Sequence, residues 1–379
     1  MAHELTHDDA HGHDEHGHLP FLAHHFEDPE QQFDAGKFGM WMFLVTEVLF
    51  FSGMFCAYAL YRSLHPEVWT FASQFLNEIL GAFNTIVLLF SSLTMAWAVR
   101  CAQKHQRTGL IVCLTLTLAC AAIFLGVKAV EYTHKWDIGL LPAGSYVPQF
   151  IMANQHHEGI SPWLIRLSIL PALCVIGFGG WYGWSVMNKR KYAAQIAGPL
   201  LITSLCYFLG VGIGIAFQNA EASNHAVEHH AEEHAEGEHQ HEEEGHGEDA
   251  GYHQENEAGS DHALAASTEE HAPSVAGELL VEENVSLVST PADRLKAVPI
   301  TMVDQPGGAG LFFSIYYMMT GIHALHIIGG IIALTWLLVR AVRDDFNELY
   351  FGPVDYVGLY WHLVDLIWIY LFPLLYLIT

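Results

Sequence analysis

Lysine and arginine are scarce in this chain, 15 residues against 41 Asp and Glu, and between Gln218 and Asp293 there is neither. A formal charge of −26 leaves no basic patch to neutralise phosphates, which excludes nucleic acid as a partner. Cysteine is sparse too. The six, at 56, 101, 113, 120, 174 and 206, form no CxxC pair, so neither a disulfide framework nor a thiolate metal site is indicated. They lie in or beside apolar runs and read as small hydrophobes. The opening stretch, MAHELTHDDAHGHDEHGH, has no apolar core and is not a cleavable signal peptide. No internal repeat stands out.

What is abundant is apolar sequence. The chain is 52% hydrophobic and 15% charged, and runs of 20 or more apolar residues alternate with two tracts rich in His, Asp and Glu. Such runs are long enough to span roughly 30 Å of hydrocarbon as helices. Seven spans are predicted, at about 38–61, 78–100, 109–131, 163–187, 196–217, 310–339 and 357–378. The fold class is all-α, a polytopic membrane helical bundle. An open sheet edge in lipid would leave backbone groups unpaired, and a barrel would show short alternating segments.

Short-loop lysines and arginines set the orientation. With the N-terminus cytoplasmic, the inside carries Lys37, then Arg100, Lys104 and Arg107, then Lys189, Arg190 and Lys191, then Arg340 and Arg343. The C-terminus is then external, as is the loop 218–305. That loop has too few large apolar residues to offset chain entropy and is expected to lack fixed structure. Its ten histidines between His225 and His271 suit weak Zn²⁺, Cu²⁺ or Ni²⁺ binding, or a solvated buffer near pH 6–7. A tail of similar kind, residues 1–36, is placed inside.

Ionisable groups at bilayer depth are the candidate functional residues. Glu47, in FGMWMFLVTEVLFFSGMF, must be protonated, paired or turned to the protein interior. In YYMMTGIHALHIIGG, His323 and His326 are three residues apart on one helical face. They suit a metal or haem, or polar joints between helices. His362 and Asp365, in LYWHLVDLIWIYLFPLLY, are one turn apart and suit an internal hydrogen-bonded pair beside Trp361. No ligand motif repeats on a facing helix, so no metal site is assigned. HPEVW (65–69) is similar to a copper-ligand segment of the catalytic subunit of haem–copper oxidases. It falls in a loop after a span, without a following His–His pair, and reads as chance.

Five stretches in series resemble subunit III of the haem–copper cytochrome c and quinol oxidases. They are KFGMWMFLVTEVLFFSG (37–53), FNTIVLLFSSLTMAW (83–97), KAVEY (128–132), IYYMMTGIHALHIIGG (315–330) and YWHLVDLIWIYLF (360–372). The resemblance implies a non-catalytic subunit with no redox centre of its own and no catalytic residue. It implies haem and copper in partner subunits, and packing against catalytic subunit I within the oxidase complex. It also implies bound phospholipid, and support of proton uptake and oxygen access in aerobic respiration. On this reading His323 and His326 are interhelical contacts. Glu47 matches the family's intramembrane carboxylate, Glu131 the acid of its KxxEY motif, and Trp361, His362 and Asp365 its WHxVD motif. A bacterial-type cytoplasmic (inner) membrane is implied.

Against the seven-helix family form, the resemblance implies that the first two helices are missing and that a block is inserted. The organisation expected is a tail (1–36), three family-like spans (37–134), an insertion with two extra spans (135–217), the acidic loop (218–305) and two family-like spans (306–379). The extra pair is expected at the edge of the bundle, because of its Gly- and Trp-rich run GFGGWYGWSV (177–186). The eight histidines from His3 to His25 are expected to feed protons toward the catalytic subunit. The competing readings are a related partner of a nitric oxide reductase and a metal-ion transporter with His-rich loops.

Overall fold

The computed structural model describes residues 23, 26–142, 161–243 and 309–377, with side chains outside 221–243. The acidic loop beyond 243, nearly all of the tail's first 25 residues and the segment 143–160 lie outside the described residues. The chain divides into two units, Met1–Ala220 with Thr301–Thr379, and Glu221–Ile300.

In the first unit the elements are α1 (Pro29–Leu64), α2 (Pro66–Ser73), α3 (Glu78–Gln103), α4 (Arg107–Asp137), α5 (Pro162–Met187), the span of α6 (Lys191–Glu243), α7 (Ala309–Val342) and α8 (Gly352–Tyr376). Seven are long and apolar enough to cross a membrane, as the hydropathy runs predict, and no strand occurs among the described residues. The starts are set locally. Asp28 accepts from the backbone N–H of Gln31 at 2.6 Å with Pro29 following, and Asn77 accepts from that of Leu80 at 2.8 Å.

Several helices end alike, by reversing the chain over a left-handed residue. His105 (φ 51°), Gly139 (φ 79°), Lys189 (φ 55°) and Asp344 (φ 65°) each precede a residue whose N–H reaches five positions back. Those bonds are Gln106 to Cys101 (2.8 Å), Leu140 to Lys135 (3.0 Å), Arg190 to Ser185 (2.8 Å) and Asp345 to Arg340 (3.2 Å). They satisfy carbonyls that a helix end leaves orphaned.

The core forms where α3 runs along α4 and α8, with α7 against α4 and α8, and α1 on α8. Its largest buried side chains are aromatic, among them Trp69, Trp361, Trp368, Tyr316, Tyr376 and Phe124. Trp69 comes from HPEVW, which is not a loop. It makes the two-turn helix α2, and the indole wedges edge-on against Tyr58 of α1 (5.8 Å) and Phe312 of α7 (5.5 Å). His65 stays exposed, 3.6 Å from Glu67.

Of the extra pair, α5 is the least buried span of the bundle, which accords with a place at its edge. The run 177–186 is not what fastens it: Gly177, Gly180 and Gly183 face open space. The close contact belongs to α6. A Cβ on Gly126 of α4 would meet the carbonyl oxygen of Tyr207, and one on Gly210 would meet that of Ile123; Gly214 lies over Val130. Backbones approach this closely only where both helices present small residues. Ala122, Ala129, Val130, Leu164 and Tyr207 close over the crossing, so both inserted helices are packed onto α4.

In the second unit, the described backbone from 221 to 243 is the continuation of α6, helical where the sequence suggested no fixed structure. The stretch is rich in Ala and Glu, whose intrinsic preference for helix explains the difference.

Candidate functional site: polar ties within the bundle

Three polar groups lie along the bundle, each joining different helices; the first is half-buried and the other two lie deeper. The first is Glu47 with His326. Both sit near the middle of their helices, α1 and α7, and Oε2 lies 3.0 Å from Nε2. His326 Nδ1 is 2.8 Å from the carbonyl oxygen of Ile322, one turn back on its own helix. A carbonyl only accepts, so Nδ1 carries a proton. The Nε2···Oε2 contact then needs a second proton, on nitrogen or on oxygen, and the pair is neutral as a unit either way. Tyr360 donates to the carbonyl of His326 at 2.9 Å, bringing α8 into the same tie. Glu47→Gln is expected to leave stability within about 1 kcal/mol, because an amide N–H can serve Nε2. Glu47→Leu strands that nitrogen and should cost about 1–3 kcal/mol in thermal unfolding.

The second tie is made by the WHLVD segment of α8, and it is not the pair expected from spacing. His362 and Asp365 each turn to a serine of α3: His362 Nδ1 is 2.7 Å from Ser92 Oγ, and Asp365 Oδ2 is 3.4 Å from Ser91 Oγ. Trp361 Nε1 donates to Ser91 Oγ at 3.0 Å, and that hydroxyl donates more closely to Leu88 O, at 2.9 Å. Trp361 is fully buried and lies over Gly330, where a Cβ would sit 2.5 Å from its ring. One glycine of α7 and one serine of α3 therefore seat the indole. Ser91→Ala removes its acceptor and is expected to cost about 1–3 kcal/mol, whereas Trp361→Phe, which removes the donor as well, opens a cavity and costs more. Comparing the two variants' unfolding temperatures checks the order.

The third tie is the most highly charged. Glu131 of α4 holds Lys128 Nζ on Oε2 and Lys135 Nζ on Oε1, each at 2.7 Å, with all three side chains no more than 4% exposed. Tyr316 of α7 donates to Oε1 at 2.7 Å and Tyr376 of α8 at 2.5 Å. Lys128 in turn donates to Tyr376 OH at 2.6 Å. Two ammonium groups face one carboxylate, and the excess positive charge lies among aromatic faces. Lys128 Nζ is 4.9–5.6 Å from the ring centroids of Tyr132, Tyr316, Trp368 and Tyr376. Those π faces supply negative potential that a second carboxylate would otherwise provide. Tyr132 OH donates to Thr320 at 2.6 Å and extends the network along α7.

His323 belongs to none of these. It is fully buried between Trp368 (5.3 Å) and Phe124 (5.7 Å), and neither ring nitrogen has a hydrogen-bond partner in the structure. The two histidines of one helical face thus do different work, one polar and one as an aromatic plate. No three His, Cys, Asp or Glu side chains of the described bundle converge on a point where a metal would sit.

A sequence profile described as cytochrome c oxidase subunit III matches residues 23–170 and 295–379, well over half of the chain and both flanks of the acidic loop. The chain belongs to the cytochrome c oxidase subunit III family. Residues 171–294, most of the extra pair and the acidic loop, fall outside the match. A probable cytochrome c oxidase subunit 3 of Nocardia farcinica is 42% identical over 65 residues, 17% of this chain and 32% of that protein. Cytochrome c oxidase subunit 3 of Synechocystis sp. is 33% identical over 132 residues, 35% and 49% of the two chains. A heme-copper oxidase subunit I+III of Aeropyrum pernix is 41% identical over 71 residues, 18% of this chain and 9% of that protein. The chain therefore spans half or less of the length of the curated relatives it matches. All five motif stretches, and with them Glu47, Glu131, His323, His326, Trp361, His362 and Asp365, lie inside the segments the family profile covers.

Proposed function

We propose that this protein is the non-catalytic subunit III of a proton-pumping terminal oxidase that reduces O₂ to water, supporting catalytic subunit I in aerobic respiration. The observation that carries the reading is the family match on both sides of the insertion, with its motif residues spent on joining helices. Glu47 and His326, the WHLVD residues and Glu131 each find partners on other spans, so the chain's buried polar chemistry goes into a rigid wall. Haem and copper belong to the partner subunits. The Aeropyrum relative, named as subunits I and III in one chain, favours subunit I as the neighbour. The same reading gives a cytoplasmic N-terminus and an external C-terminus in a bacterial-type inner membrane, with phospholipid filling grooves on the exposed apolar flanks. The donor is cytochrome c or a quinol.

Affinity purification in mild detergent tests this. A tagged chain is expected to bring down a haem-bearing partner in constant ratio, with reduced-minus-oxidised spectra assigning all haem to that partner. Deleting the gene should lower the oxygen turnover that the isolated complex sustains. Haem bound by this chain alone, or no haem protein in the eluate, overturns the proposal.

A further inference from the structure

Beyond its apolar span, α6 goes on as helix from 221 to 243, reading EASNHAVEHHAEEHAEGEHQHEE. Two series in this stretch repeat at every fourth residue: Glu221, His225, His229, Glu233, and His230, His234, Glu238, Glu242. Residues four apart on a helix share a face one turn apart. The five-residue offset between the two histidine pairs rotates the second series by about 140° from the first. Each face therefore carries two histidine positions one turn apart, followed one turn later by a glutamate position. Two histidines at i and i+4 of a helix form the pair that helical zinc sites use. Neutral imidazole also serves Cu²⁺ and Ni²⁺.

We propose that this part of α6 binds two divalent transition-metal ions of the Zn²⁺ class, one at His225 and His229 and one at His230 and His234. Solvent completes each coordination shell, and the acidic flanks offset the metal charge. The proposal turns on helical register. The same ten histidines of the loop in an irregular chain would offer only a diffuse tract.

The test is Zn²⁺ binding by the full-length protein in detergent, measured by equilibrium dialysis with elemental analysis. Replacing His225, His229, His230 and His234 by Gln should remove two of the bound Zn²⁺ equivalents. Replacing His239, His241, His246 and His253, an equal number of imidazoles outside the pairs, should leave those two in place. A third variant, Ala231→Pro, keeps every histidine but breaks the helical register within both pairs, by losing the bond to the carbonyl four residues back and by turning His230 out of helical conformation. It should weaken both by tenfold or more, and Zn²⁺ should no longer raise the helical circular dichroism signal. Equal losses from the two four-histidine variants overturn the proposal, as does wild-type binding by Ala231→Pro.

Discussion

Replacing Glu131 by glutamine is expected to destabilise the bundle by on the order of 3–5 kcal/mol, the cost of breaking a buried ion pair from one side. Lys128 and Lys135 would be left facing each other without a counter-charge, with only a neutral amide, tyrosine hydroxyls and ring faces beside them. The variant should accumulate poorly and unfold well below wild type in a thermal-shift assay. The sign of the effect identifies its cause. In the double variant Glu131→Gln with Lys135→Met, only one ammonium remains, in the aromatic cage around Lys128, and most of the lost stability should return. If the second substitution deepened the loss instead, hydrogen-bond geometry rather than charge balance would be the source of the cluster's stability.

A leucine at Gly210 should have an effect of comparable size by a different physical route. The added Cβ would lie 2.9 Å from Ile123 Cα and 3.0 Å from its carbonyl carbon, and backbone atoms cannot swing aside as a side chain can. Overpacking of this kind costs typically 1–3 kcal/mol, and more where nothing flexible can yield. Gly126→Leu meets the same crossing from the α4 side, against Val211 N at 2.9 Å. Both variants should release α6, seen as faster amide exchange over Leu200–Ile215, while α3, α7 and α8 keep their protection. Gly212→Ala and Gly177→Ala, whose Cβ positions meet nothing within 4 Å, are the matched controls and should behave as wild type.

The spans were legible because each is an unbroken apolar run, and the polar positions because ionisable groups stand out against it. Which groups meet was not legible. Tyr316 and Tyr376, 185 and 245 residues from Glu131, look like ordinary aromatics of apolar helices until the fold brings them to one carboxylate. Ser91 and Ser92 carry no signal beyond being small, yet they take the contacts that spacing alone suggested His362 and Asp365 would make with each other. Lys135 was one turn from Glu131 in plain view, but a lysine near a helix end reads as a solvated flank. The glycine contact was not legible for a related reason. A close crossing requires a small residue on both helices at matching height, and it is the sparse GVGIG (210–214), not the denser run at 177–186, that meets one.

The Glu131 cluster has its two cations on the same helix as its anion, at i−3 and i+4. During synthesis α4 emerges long before Tyr316 of α7 and Tyr376 of α8, with the whole insertion still to be made. A lone carboxylate would have to wait in the bilayer at considerable cost. Travelling with its own counter-ions, the carboxylate is paired from the start, and what waits for the last helix is the one excess ammonium that Trp368 and Tyr376 close over.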